Sequence, residues 1–196
     1  MHLSRFAMLI LWVALPFATQ AATAATAVFA GGCFWCMESE FEGLDGVESV
    51  VSGYTGGTVA NPTYEQVSSG ETGHVEAVEV TYDPAKVSYN QLLEIFWENV
   101  DPLDDNGQFC DQGSQYRAGI FYRDARQQTV AEASKAKAER RHGTTLATLI
   151  QPATVFYPAD AHHQDYARTH AKAYRQYRQG CGRDARLEQL RNLPAR

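Results

Sequence analysis

The sequence predicts an α+β sandwich of two or three layers, a mixed β-sheet flanked by helices and long irregular loops. Apolar residues repeat with period two in some segments and near 3.6 in others, so both strands and helices are expected. These elements alternate without the strict regularity of a parallel βαβ array. A length of 196 residues with 44% hydrophobic content is enough to bury one sizeable core. No internal repeat, low-complexity linker or composition break follows residue 27, so residues 25–196 read as one domain.

Taken in order, Thr26–Ala30 is a short apolar strand running into Gly31-Gly32. Cys33–Phe41 has Phe34, Met37 and Phe41 at helical spacing. Val47–Tyr54 reads as a strand, Thr55-Gly56-Gly57 as a turn and Asn61–Gly73 as a loop. Val75–Tyr82 alternates like a half-buried strand and stops at Asp83-Pro84. Ser88 can cap a helix whose Leu92, Leu93, Phe96, Trp97 and Val100 share a face, ended by Asp101-Pro102. Leu103–Arg117 is polar and reads as a long irregular loop. Ala118–Tyr122 is a strand, Asp124 to about Arg141 a polar surface helix, and Ala153–Tyr157 another strand. Asp160 can cap a last helix from Ala161 to Tyr177, closed by Gly180-Cys181-Gly182.

Residues 1–24 read as a signal peptide rather than as part of the fold. Arg5 precedes the apolar run Phe6–Phe17, and Ala22-Thr23-Ala24 fits a small-x-small cleavage site. That run is shorter than the roughly 20 residues a membrane-spanning helix needs, so an uncleaved anchor is the lesser alternative. The mature protein is therefore expected in a periplasmic or extracellular setting, where disulfides persist. The net charge of −6, with Lys and Arg scattered, excludes the concentrated basic patch that nucleic acid or an anionic membrane would require. A monomer is the default expectation.

Four cysteines, Cys33, Cys36, Cys110 and Cys181, carry the chemistry or staple the fold. Two structural disulfides are the plain alternative for an exported chain, but a domain of this length does not need staples. Cys33 and Cys36 also lie one helical turn apart. Strand, two glycines and helix start would place the Cys33 sulfur among free backbone N–H groups, which favours a lowered thiol pKa and a reactive thiolate. The glycines would let a substrate approach the backbone closely. Glu76 shares strand parity with Val78, Val80 and Tyr82, the apolar side. Buried there, its pKa rises and it can hold a proton for general acid catalysis; frayed at the strand start, it simply meets water. Tyr64 and Tyr116 stand in loops, where a phenol can donate to a developing oxyanion or merely pack. Asp111 reads from its loop as a turn residue. His162 and His163 project to different faces, so no metal centre is expected.

Gly31-Gly32-Cys33-Phe34-Trp35-Cys36-Met37-Glu38 resembles the signature of A-type peptide methionine sulfoxide reductases. Gly53-Tyr54-Thr55-Gly56-Gly57, Asn61-Pro62-Thr63-Tyr64, Ser69-Gly70-Glu71-Thr72-Gly73-His74-Val75-Glu76, Asp111-Gln112-Gly113-Ser114-Gln115-Tyr116-Arg117 and Ala161-His162-His163-Gln164-Asp165-Tyr166 follow in family order. The resemblance covers about residues 27–167. It implies that Cys33 attacks the sulfur of methionine S-sulfoxide, free or in proteins, and becomes a sulfenic acid. It further implies that Phe34 and Trp35 form the methyl pocket, that Glu76 protonates the sulfoxide oxygen, and that Tyr64 and Tyr116 donate hydrogen bonds. Asp111 would hold the substrate backbone, with His163 and Tyr166 in support. No cofactor is implied beyond a thioredoxin-like reductant. Many relatives have Gly where Cys36 stands. Cys181, held between glycines in a tail able to swing, is the favoured resolving thiol, with Cys36 and Cys110 as alternatives. The competing readings are an exported Cys-x-x-Cys thiol-disulfide oxidoreductase and a disulfide-stapled binding domain. The oxidoreductase would have no use for Glu76, Tyr64 and Tyr116 together, and neither alternative explains the ordered motif segments.

Overall fold

The computed structural model describes residues 23–193; the stretch read as a signal segment falls outside them up to residue 22. A six-stranded mixed sheet organises the chain. Its strands are β1 (Ala25–Ala30), β2 (Val47–Thr55), β3 (Val75–Tyr82), β6 (Gly119–Tyr122), β7 (Leu149–Pro152) and β8 (Tyr157–Pro158). The spatial order is β7-β6-β1-β3-β2-β8, antiparallel throughout except for the parallel pair β6 and β7. Two-residue strands β4 (Gly107–Gln108) and β5 (Asp111–Gln112) form a separate hairpin.

Strand parity sorts the core into two faces. Ala27 and Phe29 of β1 and Val78, Val80 and Tyr82 of β3 join one cluster with Phe34, Met37, Phe41, Leu92, Leu93 and Phe96. Those last six belong to helices α1 (Phe34–Phe41) and α3 (Tyr89–Glu98). Val28, Ala30, Val75, Ala77 and Phe121 face the other way and meet Ala153 and Phe156. The sheet thus carries helices over one face, while an irregular segment covers part of the other. Helix α3 begins as its sequence demands: the Ser88 hydroxyl accepts from the Gln91 N–H at 3.3 Å, and the Gln91 side chain accepts the Ser88 N–H at 2.9 Å. Helix α4 (Ala125–His142) starts on the Asp124 carboxylate and stops at Gly143, whose φ of +66° ends it in the left-handed region.

Three segments depart from expectation. Asn61–Gly73 is not all loop: Thr63 and Gln66 form a capping box that starts a short helix, α2 (Tyr64–Ser68). The strand expected at Ala153–Tyr157 lies earlier, at β7, because pairing with β6 takes Leu149–Pro152. Thr154 instead uses its hydroxyl to accept the Gly56 N–H at 3.0 Å. The single helix expected from Ala161 to Tyr177 is broken into a 3₁₀ turn at Ala161–His163, α5 (Tyr166–Thr169) and α6 (Ala171–Gly180). Asp165 takes a left-handed φ of +53° there. Just before it, the Gln164 side chain donates to Ser52 and Ala159 carbonyls and accepts the Ser52 N–H, all at 2.9 Å. That anchoring to β2 outweighs helix continuity.

The chain closes with a helix absent from the sequence reading, α7 (Arg183–Arg191). Its first residue is buried, 1% exposed. The Arg183 guanidinium donates to Asn99 O at 2.6 Å and to Gly31 O at 3.3 Å, and lies 4.4 Å from the Phe109 ring centroid. Phe109 keeps a left-handed φ of +59° under that cation, a conformation costing about 1–2 kcal/mol for an L-residue. Arg183→Leu strands both carbonyls and removes the stacking, so unfolding stability drops by about 3 kcal/mol. The check is a urea titration, with a lower midpoint at unchanged slope.

Candidate active site

Cys33 caps the N-terminus of α1 and is buried, 6% exposed. Behind it, the Phe34 N–H donates to Glu76 Oε2 at 3.0 Å. Parity places Glu76 on the helix-covered side of β3, and it is 3% exposed. Burial pushes its carboxyl up to about 8, against the pull of the Phe34 N–H, so it is protonated at neutral pH. The lowered Cys33 pKa expected from the helix terminus does not appear. Burial, a hydrogen bond with Cys36 and the charges of Cys36 and Glu76 push the thiol well above its usual range. Removal from water costs the thiolate more than a helix terminus returns. The glycines also serve differently than expected. A Cβ on Gly31 would meet Met37 Sδ at 2.4 Å, and one on Gly32, whose φ is +80°, would meet Gln108 Cβ at 2.6 Å. The protein's own side chains, rather than a substrate, fill that space.

An aromatic wall rises around the cysteine. Trp35 stacks on Tyr166 with centroids 3.8 Å apart, and its indole N–H donates to His163 Nδ1 at 3.3 Å. The His163 ring lies 5.1 Å from Phe34 and 4.6 Å from Tyr64. Burial depresses the His163 pKa, which keeps the imidazole neutral, whereas His162 is exposed. Tyr64 comes from the first residue of α2, and Tyr116 from a 3₁₀ turn at Ser114–Tyr116. The Gln115 side chain ties these two segments together by donating to Ser68 O at 2.8 Å. Both phenols are raised by burial and by the neighbouring Glu76, Tyr64 to about 12, so both stay proton donors. Tyr54, opposite Glu76 in the β2–β3 register, is buried with its ring 5.9 Å from Phe34.

The other cysteines divide differently than the tail argument suggests. Cys110 and Cys181 form a disulfide across 71 residues, leaving Cys33 and Cys36 as the free thiols. Cys181 therefore offers no free thiol here, and it sits between helices α6 and α7 rather than in a swinging tail. Cys36 is within hydrogen-bonding reach of Cys33, and that contact, with Arg183 and Arg178 adding to it, lowers its pKa to about 7. Asp111 lies beside the disulfide and between these groups. Burial raises its carboxyl, while Tyr177, Arg183 and the Cys33 backbone N–H oppose the rise. Cys110, Asp111 and Cys181 also make a group of metal-binding side chains, but both its sulfurs are spent in the disulfide.

The fold thus gathers Cys33, Cys36, Phe34, Trp35, Tyr64, Glu76, Asp111, Tyr116, His163 and Tyr166 around one centre. Cys110 and Cys181 stand at its edge as a pair. Sequence reasoning missed Tyr177, whose hydroxyl donates to Asp111 Oδ2 and reaches Cys33, and Tyr174, which shares a 2.8 Å hydrogen bond with Ser39 and lies against Cys36. It also missed Gln108, whose side chain closes the loop under Gly32 by three hydrogen bonds to Asp101 and Gly107. A tyrosine three to four residues from another on a polar helix was the available signal for Tyr174 and Tyr177.

The family model described as peptide methionine sulfoxide reductase matches residues 25–193. Peptide methionine sulfoxide reductase MsrA 2 of Caulobacter vibrioides is 55% identical over 166 residues, 84% of each chain. Peptide methionine sulfoxide reductase MsrA of Bacillus licheniformis is 49% identical over 165 residues, covering 83% of this chain and 91% of its own. Among solved structures, Mxr1 from Saccharomyces cerevisiae in reduced form matches at TM-score 0.72 and 28% identity, covering 76% of this chain and 86% of that one. Methionine sulfoxide reductase A of Corynebacterium diphtheriae matches at TM-score 0.68 and 31% identity, covering 76% of each.

Proposed function

Since this chain belongs to the peptide methionine sulfoxide reductase family and is an oxidoreductase of that kind, we propose that it reduces the S epimer of methionine sulfoxide, free or within proteins, with Cys33 as nucleophile. The observation that carries this reading is a buried thiol beside a buried carboxyl, Cys33 and Glu76, with the phenols of Tyr64 and Tyr116 nearby. Phe34 and Trp35 hold the S-methyl group. Asp111 holds the substrate backbone, and His163 and Tyr166 fix the indole of Trp35. Glu76 gives its proton to the sulfoxide oxygen while Tyr64 and Tyr116 donate to it. The Cys33 sulfur is oxidised by two electrons to a sulfenic acid, and the sulfoxide sulfur is reduced by two to the thioether.

We assign resolution to Cys36 rather than Cys181. Its proximity to Cys33 and the positive charges of Arg183 and Arg178, which favour its thiolate, fit Cys36 to attack the sulfenic acid. Hydroxide leaves and takes up a proton as water, and a Cys33–Cys36 disulfide forms. A thioredoxin-like protein then supplies the electrons. Export of a monomer through residues 1–24 completes the reading, and its check is an N-terminus at Ala25 in protein recovered outside the cytoplasm.

The test is turnover of the separate S and R sulfoxides of N-acetyl-methionine with thioredoxin as reductant. S reduction alone is expected, and Cys36→Ser should release one methionine per protein and then stall. Steady turnover by that variant at the wild-type rate would return the resolving role to Cys181. The competing reading, a general thiol-disulfide oxidoreductase, predicts insulin reduction and no sulfoxide turnover.

A further inference from the structure

Cys33 attacks as a sulfur that must first lose a proton, yet burial holds that proton on. Around the sulfur stand Cys36 from α1, Glu76 from β3, Tyr64 from α2, Asp111 from β5, Tyr116, Tyr177 from α6 and, further out, Arg183 from α7. Glu76 is already the acid that protonates the sulfoxide oxygen, so it cannot take a second proton in the same step. Among the described residues, Tyr177 is the group that reaches both Cys33 and the Asp111 carboxylate. Its ring packs in the cluster of Cys33, Cys36 and Tyr174 and meets Trp35 edge-on at 6.0 Å. Its hydroxyl donates to Asp111 Oδ2, which leaves the phenol oxygen free to accept from the Cys33 S–H.

We propose that Tyr177 is a further catalytic residue, which carries the proton of Cys33 to Asp111 as Cys33 attacks the sulfoxide. This rests on Cys33 being the nucleophile. The Cys33 proton moves to the Tyr177 oxygen while the Tyr177 proton moves to Asp111. The phenol then donates to the developing thiolate. Glu76's proton ends on the oxygen of the sulfenic acid, and the thioether leaves. The two carboxyl groups then re-equilibrate with water, Asp111 losing its proton and Glu76 regaining one, so the cycle balances without an added oxidant or reductant. Cys36 is a poorer acceptor for the purpose. A proton parked there would leave the resolving sulfur as a thiol, the form that does not attack. The Cys110–Cys181 disulfide serves the same wire from behind. It ties the strand carrying Asp111 to the helix end one turn beyond Tyr177, with Cα atoms 4.9 Å apart.

The test starts from Cys36→Ser protein with the Cys110–Cys181 disulfide intact, in which Cys33 is the sole free thiol. Two rates are read: release of one methionine from N-acetyl-methionine S-sulfoxide in a single turnover, and alkylation of Cys33 by iodoacetamide between pH 6 and 10. Adding Tyr177→Phe should slow methionine release on the order of 10²-fold at unchanged half-saturation. Alkylation at pH 8 should slow about 10-fold, its pH profile moving upward as the thiolate loses its donor. A folded Tyr177→Phe protein within twofold of its parent in both rates overturns the proposal. Should that variant fail to fold, Asp111→Asn keeps the phenol but cannot take the proton. Methionine release then slows while alkylation holds or quickens, because a neighbouring negative charge is gone; unslowed release overturns the proposal. A parent that releases no methionine defeats the nucleophile assignment instead, and the alkylation arm still reports on Tyr177.

Discussion

Cys33→Ser lowers kcat for S-sulfoxide reduction on the order of 10³-fold or more while leaving substrate affinity within a few-fold. Serine occupies nearly the same volume, so Phe34, Trp35, Tyr64 and Glu76 keep their places. The hydroxyl oxygen is a poor nucleophile toward sulfoxide sulfur and cannot store the transferred oxygen as a sulfenic acid. Steady-state turnover separates the two effects, because kcat falls and KM does not. Wild-type-like turnover by the serine variant would remove Cys33 from the chemistry and with it the assignment of every group aimed at its sulfur.

Glu76→Gln is the second large effect, a loss of about 10²–10⁴-fold in the first-turnover rate. Glutamine can still accept the Phe34 N–H and donate a hydrogen bond, but it has no proton to give. The sign of the pH dependence follows from the raised carboxyl. Below about 8 Glu76 is protonated and competent as an acid, so the wild-type rate falls as pH rises through about 8. The glutamine variant lacks that limb. Stability follows the same proton. In the unfolded chain Glu76 ionises near the ordinary carboxylate value, about 4.3, whereas in the folded protein it stays neutral until about 8. Folding therefore takes up a proton between these values, and the contribution of Glu76 is fully present below the lower and lost as pH rises through the upper. Thermal unfolding of the two proteins across pH 5 to 9 reads this directly: the glutamine variant gains relative to wild type as pH rises. A constant difference would mean that Glu76 reaches water.

Local pattern was legible where periodicity reports local packing. The β3 boundaries follow from alternation at Val75–Tyr82, and the Ser88 cap follows from its Gln91 partner. The 153–156 segment misled because its apolar residues cover the back of the sheet without joining the ladder. The run from Ala161 to Tyr177 misled because Gln164 bonds to β2, 112 residues away in sequence from Ser52.

By itself, the sequence determined the nucleophile candidate, the face of β3 on which Glu76 falls and the order of the motifs from Gly31 to Tyr166, since each is written in neighbouring residues. Tertiary structure alone decided which thiols are free, that Arg183 is buried beneath α1, and that Tyr177 reaches Cys33 from the far end of the chain. It also reversed the ionisation expected of Cys33. The physical reason is common to all four: desolvation and contact are properties of what the whole fold places around an atom, and local spacing does not record them.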